Sequence, residues 1–328
     1  MGFTHREYHE AWMDLVDSSE LKRIANELGF TTVGVAPALP FAEALQAYHQ
    51  WLSRGFHGEM AYLADHEILK QDPRSLLPSA QAVIVVTMNY FQESTSPVKV
   101  ARYALGRDYH KVLRSRLRRL ASSLSRLHPD AEFRACVDSA PLLERSYAHL
   151  AGLGWVGKNT MLIDSKRGSW FFIGVLLSSV PFASDEPSLG GCGTCRACID
   201  ACPTGAIVNL NDRWQVDSRQ CISYQTIEKR GELTVDTDGW VFGCDVCQEV
   251  CPFNAVRPSQ PLRAAVTTEP DFLAVRRFPS LVELAQIRHE DWDGLTQGSA
   301  VRRTGYEGLK RNAAAARCNS SNPKKGVD

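Results

Sequence analysis

The chain has no hydrophobic run long enough to cross a bilayer: its longest apolar stretch, Trp170 to Val180, falls far short of the ~20 residues required and reads as a buried strand. The N-terminus lacks the layout of a secretory signal, and Arg6 stands where a myristoylation site needs Ser or Thr. A soluble, cytoplasmic protein is expected. Net charge is missing too, with 37 basic residues against 37 acidic ones, so no global attraction for a polyanion follows. Charge is local instead. Residues 101 to 126 hold eight Lys or Arg against one Asp, and residues 299 to 328 hold seven against Glu307 and Asp328. A dinucleotide fingerprint is also absent: the glycine-rich loop Gly152 to Asn159 does not follow a strand in a βαβ unit. Its bland reading is a turn before a strand at Thr160 to Ile163.

Cysteine is abundant. Eight of the ten form two runs and one outlier: Cys192, Cys195, Cys198 and Cys202-Pro203; Cys221; and Cys244, Cys247 and Cys251-Pro252. The first run has the bacterial ferredoxin spacing, in which three thiolates hold one cubane and the fourth crosses to another. The second run is one ligand short, with Val241 where its first cysteine would stand. Cys221 completes the count. The expected sets for two [4Fe-4S] clusters are therefore Cys192, Cys195, Cys198 and Cys251, and Cys202, Cys221, Cys244 and Cys247. Zinc suits paired C-x2-C motifs better than four cysteines in eleven residues followed by proline. A disulfide framework conflicts with a reduced cytosol. Cys136 and Cys318 have no ligand spacing and read as small apolar fillers.

At 328 residues the chain far exceeds what two clusters need. The first 185 residues alternate helical and strand patterns, as an α/β or α+β domain does. Ser18 or Ser19 can cap a helix with Leu21, Ile24, Ala25 and Leu28 on one face, ended by Gly29. Strands are expected at Phe30 to Val35, Ala82 to Met88 and Glu132 to Val137, the second buried on both faces. Leu113, Leu117, Leu120, Leu124 and Leu127 have helical period, and Arg114, Arg116, Arg118 and Arg119 occupy the opposite face. Asp138 ends the third strand, just before Ser139-Ala140-Pro141 and a helix from about Leu142; capping that helix is its structural reading. Leu281 to Ile287 and Val301 to Ala316 are helical, and the last ten residues have a disordered composition. The expected division is 1–185, 186–258 and 259–328.

The chain resembles the cobalamin-dependent epoxyqueuosine reductases, which complete queuosine biosynthesis in tRNA. The resemblance runs from Leu21 to Ala316. It rests on Gly55-Phe56-His57-Gly58-Glu59-Met60, Met88-Asn89-Tyr90, the segment Arg102 to His110, Val137-Asp138-Ser139-Ala140-Pro141, the Gly152 to Asn159 loop, Cys221-Ile222-Ser223-Tyr224, and Gly298-Ser299-Ala300-Val301-Arg302-Arg303. It implies an α+β cobalamin-binding domain, a two-[4Fe-4S] ferredoxin-like domain and a short C-terminal helical, HEAT-like region. It also implies reduction of an epoxide to an alkene. That change takes two electrons and two protons, which iron–sulfur clusters cannot deliver to carbon by themselves. The residues alone leave corrinoid and flavin open; the resemblance selects cobalamin.

By the same resemblance Asp138 is the proton donor, and a carboxyl beside an apolar corrin face is expected to have a raised pKa. His57, Asp138, Ser139, Lys158, Ser223, Tyr224 and Asp245 are the implied cobalamin contacts. Asp108-Tyr109-His110 begins like a cobalamin lower-ligand motif but lacks its glycine, so Asp108 is expected to cap a helix. A monomer is expected, with an external one-electron donor and a tRNA partner whose phosphates attract Lys and Arg. Arg302, Arg303, Lys310 and Arg311 are the first candidates for that contact; Arg114, Arg116, Arg118 and Arg119 are second. The alternatives are a relative such as a reductive dehalogenase, typically exported, and a non-catalytic electron-transfer subunit. Corrinoid binding separates these two.

Overall fold

The computed structural model describes residues 15–320. Its framework is a four-stranded sheet of β1 (Thr32–Pro37), β2 (Ala82–Asn89), β3 (Phe133–Cys136) and β4 (Phe171–Ser178), in the order β1-β2-β4-β3. Every neighbouring pair is antiparallel, with Val85 opposite both Gly34 and Val175. The fold is thus α+β. The central strand β2 is buried from Ala82 through Met88 because helices and loops cover both faces of the sheet.

Side-chain alternation sends Ile84, Val86 and Met88 to one face and Val83 and Val85 to the other. The first face is covered by α1 (Ser19–Glu27) and α2 (Tyr109–Leu127). The 3.6-residue period stacks Leu113, Leu117, Leu120 and Leu124 of α2 into one fully buried stripe, and each such leucine contributes ~2 kcal/mol. The second face packs on α3 (Glu144–Leu150) through Tyr147, Ala148 and Ala151.

Local chemistry departs from expectation at several ends. Neither Ser18 nor Ser19 caps α1 with its side chain; Asp17 accepts the Ser19 N–H at 2.8 Å instead. Asp108 does cap α2, accepting the His110 N–H at 3.0 Å. Asp138 caps nothing, since α3 begins six residues later after Leu143. Gly29 ends α1 with φ +83, a conformation that favours glycine. The helix expected from Val301 to Ala316 is a 3-10 turn, Ala300–Thr304, followed by α7 (Gly305–Ser320), with Gly305 at φ +76 between them.

The cysteine-bearing segment folds on two short helical turns, Ala197–Asp200 and Val246–Glu249, and the hairpin Ile207–Leu210/Arg213–Val216. Helix α4 (Ile222–Ile227) follows Cys221. The C-terminal helices α5 (Leu281–Ala285), α6 (His289–Thr296) and α7 have no core of their own. Leu284, Trp292, Leu309 and Ala313 share one with Val100, Leu105, Val241 and Phe242. The expected disorder of the tail falls, from residue 321, outside the described residues. No helix among the described residues is long and apolar enough to cross a membrane. Cys136 is a buried filler; Cys318 is exposed.

Candidate active site

Cys192, Cys195, Cys198 and Cys251 line one small cavity together with Lys158, Asn159 and Phe253. Burial and the neighbouring sulfurs of Cys192, Cys251 and Cys195 push the Cys198 thiol up to about 11. Cys244 is pushed up to about 12, by desolvation first and then by Cys221, Asp245 and Cys202 nearby; Cys247, half-buried like it, is raised by desolvation and by Cys221, Cys244 and Cys198. Cys198 thus neighbours Cys192, Cys195 and Cys251, Cys244 neighbours Cys221 and Cys202, and Cys198 and Cys247 lie near each other. Crowded thiols that repel as thiolates are a set that bound iron would neutralise. Among the described residues no three His, Cys, Asp or Glu side chains converge on a single ion. The four corners of a cubane ask for thiols standing further apart than do Zn–S bonds of about 2.3 Å.

The glycine-rich loop braces both sets. Lys158 donates to the carbonyls of Gly193 (2.7 Å) and Cys195 (2.8 Å), and Asn159 donates to the Cys247 carbonyl (3.1 Å). Lys158 is therefore held on the cluster loop. Asp245 is likewise engaged by the protein. It is buried and accepts the Arg102 N–H at 2.8 Å and Nη1 at 3.2 Å, while the Arg102 guanidinium lies 5.2 Å over the Trp170 ring. Burial raises the Asp245 carboxyl to about 6 despite this partner.

Asp138 stands among the start of α2, Tyr62, Lys70, Glu144 and Arg303, with Glu228 beside Tyr62. The side chain keeps 60% of its surface accessible although protein surrounds it, as in a deep, wetted recess. Its backbone is left-handed (φ +53), and its N–H donates to Glu144 Oε1 at 2.7 Å. The expected rise in the Asp138 pKa is overturned. Burial does push the carboxyl up, but the hydrogen bond and charge of His110, 3.0 Å away, outweigh it and hold the group below its ordinary value. The raised carboxyl is Glu144, lifted to about 8 by burial and by Asp138 beside it.

Of the other expected contacts, Tyr224 is buried and its hydroxyl accepts the Glu59 N–H at 2.8 Å, which ties the Gly55–Met60 turn to α4. The His57 ring lies 6.0 Å from Trp51, and its Nδ1 is buried without a partner. Ser139 accepts from Arg114 at 3.3 Å, and the Ser223 carbonyl accepts from Thr226. The sequence shows His110 only within an incomplete lower-ligand motif and gives no sign of Glu144. The pairing of Asp108 with His110 was visible in their spacing; Asp138 lies 28 residues away.

The C-terminal arginines are committed elsewhere. Arg311 donates to the carbonyls of Lys229, Gly231 and Gln225, Arg303 pairs with Glu228 at 2.8 Å, and Arg302 pairs with Asp293. Lys310 sits 4.8 Å over the Tyr306 ring. Arg116 is likewise structural, bonded to Leu28 O and Glu269. By contrast Lys111, Arg114, Arg118, Arg119 and Arg126 line a surface groove along α2 with no acidic side chain.

Two thiol sets and an accessible Asp138–His110 acid–base pair are the parts of an iron–sulfur oxidoreductase. Residues 70–139 match the family model "Epoxyqueuosine reductase QueG, DUF1730", and residues 191–254 match a "4Fe-4S double cluster binding domain". The chain is 41% identical over 305 residues to the epoxyqueuosine reductase of Leadbetterella byssophila, covering 90% of this chain and 97% of that one. It is 42% identical to the Escherichia coli enzyme over 91% of this chain and 80% of that one. The chain belongs to the epoxyqueuosine reductase family.

Solved structures of that family agree in fold. The Streptococcus thermophilus enzyme superposes with a TM-score of 0.78 at 25% identity, over 93% of this chain and 81% of that one. The Bacillus subtilis enzyme, described with a catalytic aspartate loop swung out of the active site, gives 0.76 at 26% over 91% and 80%. A family structure bound to an epoxyqueuosine-modified tRNA stem loop gives 0.75 at 26%, also over 91% and 80%.

Proposed function

We propose that this chain removes the epoxide oxygen of epoxyqueuosine in tRNA, with Asp138 as the proton donor. The observation that carries the reading is Asp138 itself: an accessible carboxyl held in a strained turn, hydrogen-bonded to His110, in a cleft next to two cysteine sets. The Bacillus subtilis relative has its catalytic aspartate on a mobile loop, and Asp138 occupies a turn of that kind. In this reading residues 1–185 are the cobalamin-binding catalytic domain, 186–258 hold two [4Fe-4S] clusters fed by an external one-electron donor, and 259–328 are the C-terminal helical region.

Cobalamin suits this chain because the buried Nδ1 of His57 has no hydrogen-bond partner among the described residues and so leaves a polar atom for an amide-rich ligand. His57, Ser139, Ser223 and Tyr224 would hold it. Such a corrinoid supplies, when bound, a metal centre reactive enough to break a C–O bond. Both nitrogens of His110 are already engaged by Asp108 and Asp138, so no histidine of the motif is free to serve as a lower ligand.

The tRNA backbone docks along α2. Its groove offers cations with no acidic side chain in the lining, which counterion release can use, whereas Arg302 and Arg303 are paired with acids and Arg311 is bonded to carbonyls. The groove begins at Arg114, whose contact with Ser139 places it beside Asp138, so a splayed base reaches the cleft while phosphates follow the helix. The test is anaerobic incubation of the reconstituted protein with reductant, cobalamin and epoxyqueuosine-tRNA, followed by nucleoside mass measurement. Loss of one oxygen only with cobalamin is expected; an unchanged mass with both clusters intact would refute the reading.

A further inference from the structure

We infer that Asp108, His110 and Asp138 form a proton relay in which His110 resupplies Asp138, an assignment that rests on the deoxygenation proposed above. His110 bridges the two carboxylates: its Nδ1 is 2.8 Å from Asp108 Oδ1 and its Nε2 is 3.0 Å from Asp138 Oδ2. Each member is fixed from a second direction. Asp108 is also the cap of α2, and the His110 ring stacks on Tyr109 at 4.0 Å, which stacks in turn on Phe172 at 4.3 Å. Asp138 is held in its left-handed turn by Glu144. Backbone strain at an acidic residue, maintained by surrounding contacts, is characteristic of a site kept for chemistry.

The reaction needs more protons than one carboxyl carries. Two C–O bonds break, one C=C bond and one water form, and two electrons from the external donor are consumed with two protons. His110 Nε2–H passes its proton through Asp138 Oδ2 to the epoxide oxygen when the first C–O bond opens. His110, left neutral with Nδ1–H on Asp108, is reprotonated from solvent and sends a second proton by the same route to the oxygen as it leaves as water.

Burial opposes the imidazolium, but Asp108 and Asp138 lift the ring to about 9, so the reservoir is filled at neutral pH. The other charged groups facing Asp138 are Glu144, Lys70, Arg145 and Arg303. None of these is hydrogen-bonded to its carboxyl oxygens; Glu144 meets only the Asp138 backbone N–H.

The test uses holoenzyme carrying both clusters and cobalamin in single-turnover reactions on epoxyqueuosine-tRNA. His110→Gln keeps an amide that can donate to Asp138 but carries no exchangeable acid; Asp108→Asn keeps the helix cap and removes the charge. The expected results are a loss of about 100-fold for His110→Gln and about tenfold for Asp108→Asn, with tRNA affinity and cluster absorbance unchanged. A separate readout is the His110 ring titration by NMR in cluster-loaded protein without cobalamin. It is expected near about 9 and to fall toward the ordinary value in Asp138→Asn. Wild-type turnover rates in both variants, or a loss confined to tRNA affinity, would overturn the relay alone. Absence of oxygen removal by the wild type would overturn the deoxygenation reading and the relay with it.

Discussion

Glu144→Gln tests the electrostatics of the cleft through stability. Glu144 opens α3, its Oε1 accepts the Asp138 N–H at 2.7 Å, and burial with the Asp138 charge raises its carboxyl from 4.5 to about 8. A carboxyl raised on folding contributes fully below its unfolded value and loses that contribution as pH climbs through the folded one. The window is therefore pH 4.5 to about 8. At about 1.4 kcal/mol per tenfold change, that span sets a ceiling of roughly 5 kcal/mol. Solvent in the cleft and local relaxation reduce the effect to about 2 kcal/mol between pH 5 and pH 8. Glutamine keeps the acceptor for the Asp138 N–H and never ionises, so the variant should match wild type near pH 5 and exceed it by that amount at pH 8. Urea midpoints measured anaerobically at both pH values, with tryptophan fluorescence as the signal, decide the matter. Parallel pH curves for the two proteins, or a less stable variant at pH 8, would refute the assignment of Glu144 as a buried neutral acid. Glu144→Ala, which leaves the Asp138 N–H without its acceptor, should cost about 1–3 kcal/mol at either pH.

Three further outcomes follow from named contacts. Gly58→Ala places a Cβ 2.5 Å from the Tyr224 hydroxyl at φ +59, so a thermal melt should show a loss of about 2–4 kcal/mol, and Tyr224→Phe should not rescue it because a ring carbon stays at 2.6 Å. Cys221→Ala should lower the iron content of reconstituted protein from roughly eight to roughly four per chain, and full retention would show that another group completes the second set. Arg118→Glu with Arg119→Glu should weaken tRNA binding at least about tenfold and lower the slope of log affinity against log salt by roughly two. Lys310→Glu on α7 should change neither, and the reverse ranking would move the docking surface to the C-terminal helices.

The helical stripe of α2 and the strands of the sheet were legible because burial imposes a period on neighbouring residues. Their pairing was not. Val85 lies between Gly34 and Val175, and only the assembled sheet shows that all its ladders are antiparallel. The same limit governs the charged residues. Lys158 and Arg311 have carbonyl partners and Asp245 has Arg102, none of which a local pattern shows, and the raised pKa expected of Asp138 gives way to a lowered one beside His110.

What the sequence showed by itself is the spacing of the eight thiols proposed as cluster ligands and the carboxyl, Asp138, that follows β3. Ligands spaced two or three residues apart reach one cubane through a single tight turn, so their grouping is a property of the local chain. Tertiary structure decided the protonation and availability of everything around them. The partner of a charged side chain, such as His110 for Asp138 across 28 residues, is set by through-space distance and burial, and neither is carried by local sequence.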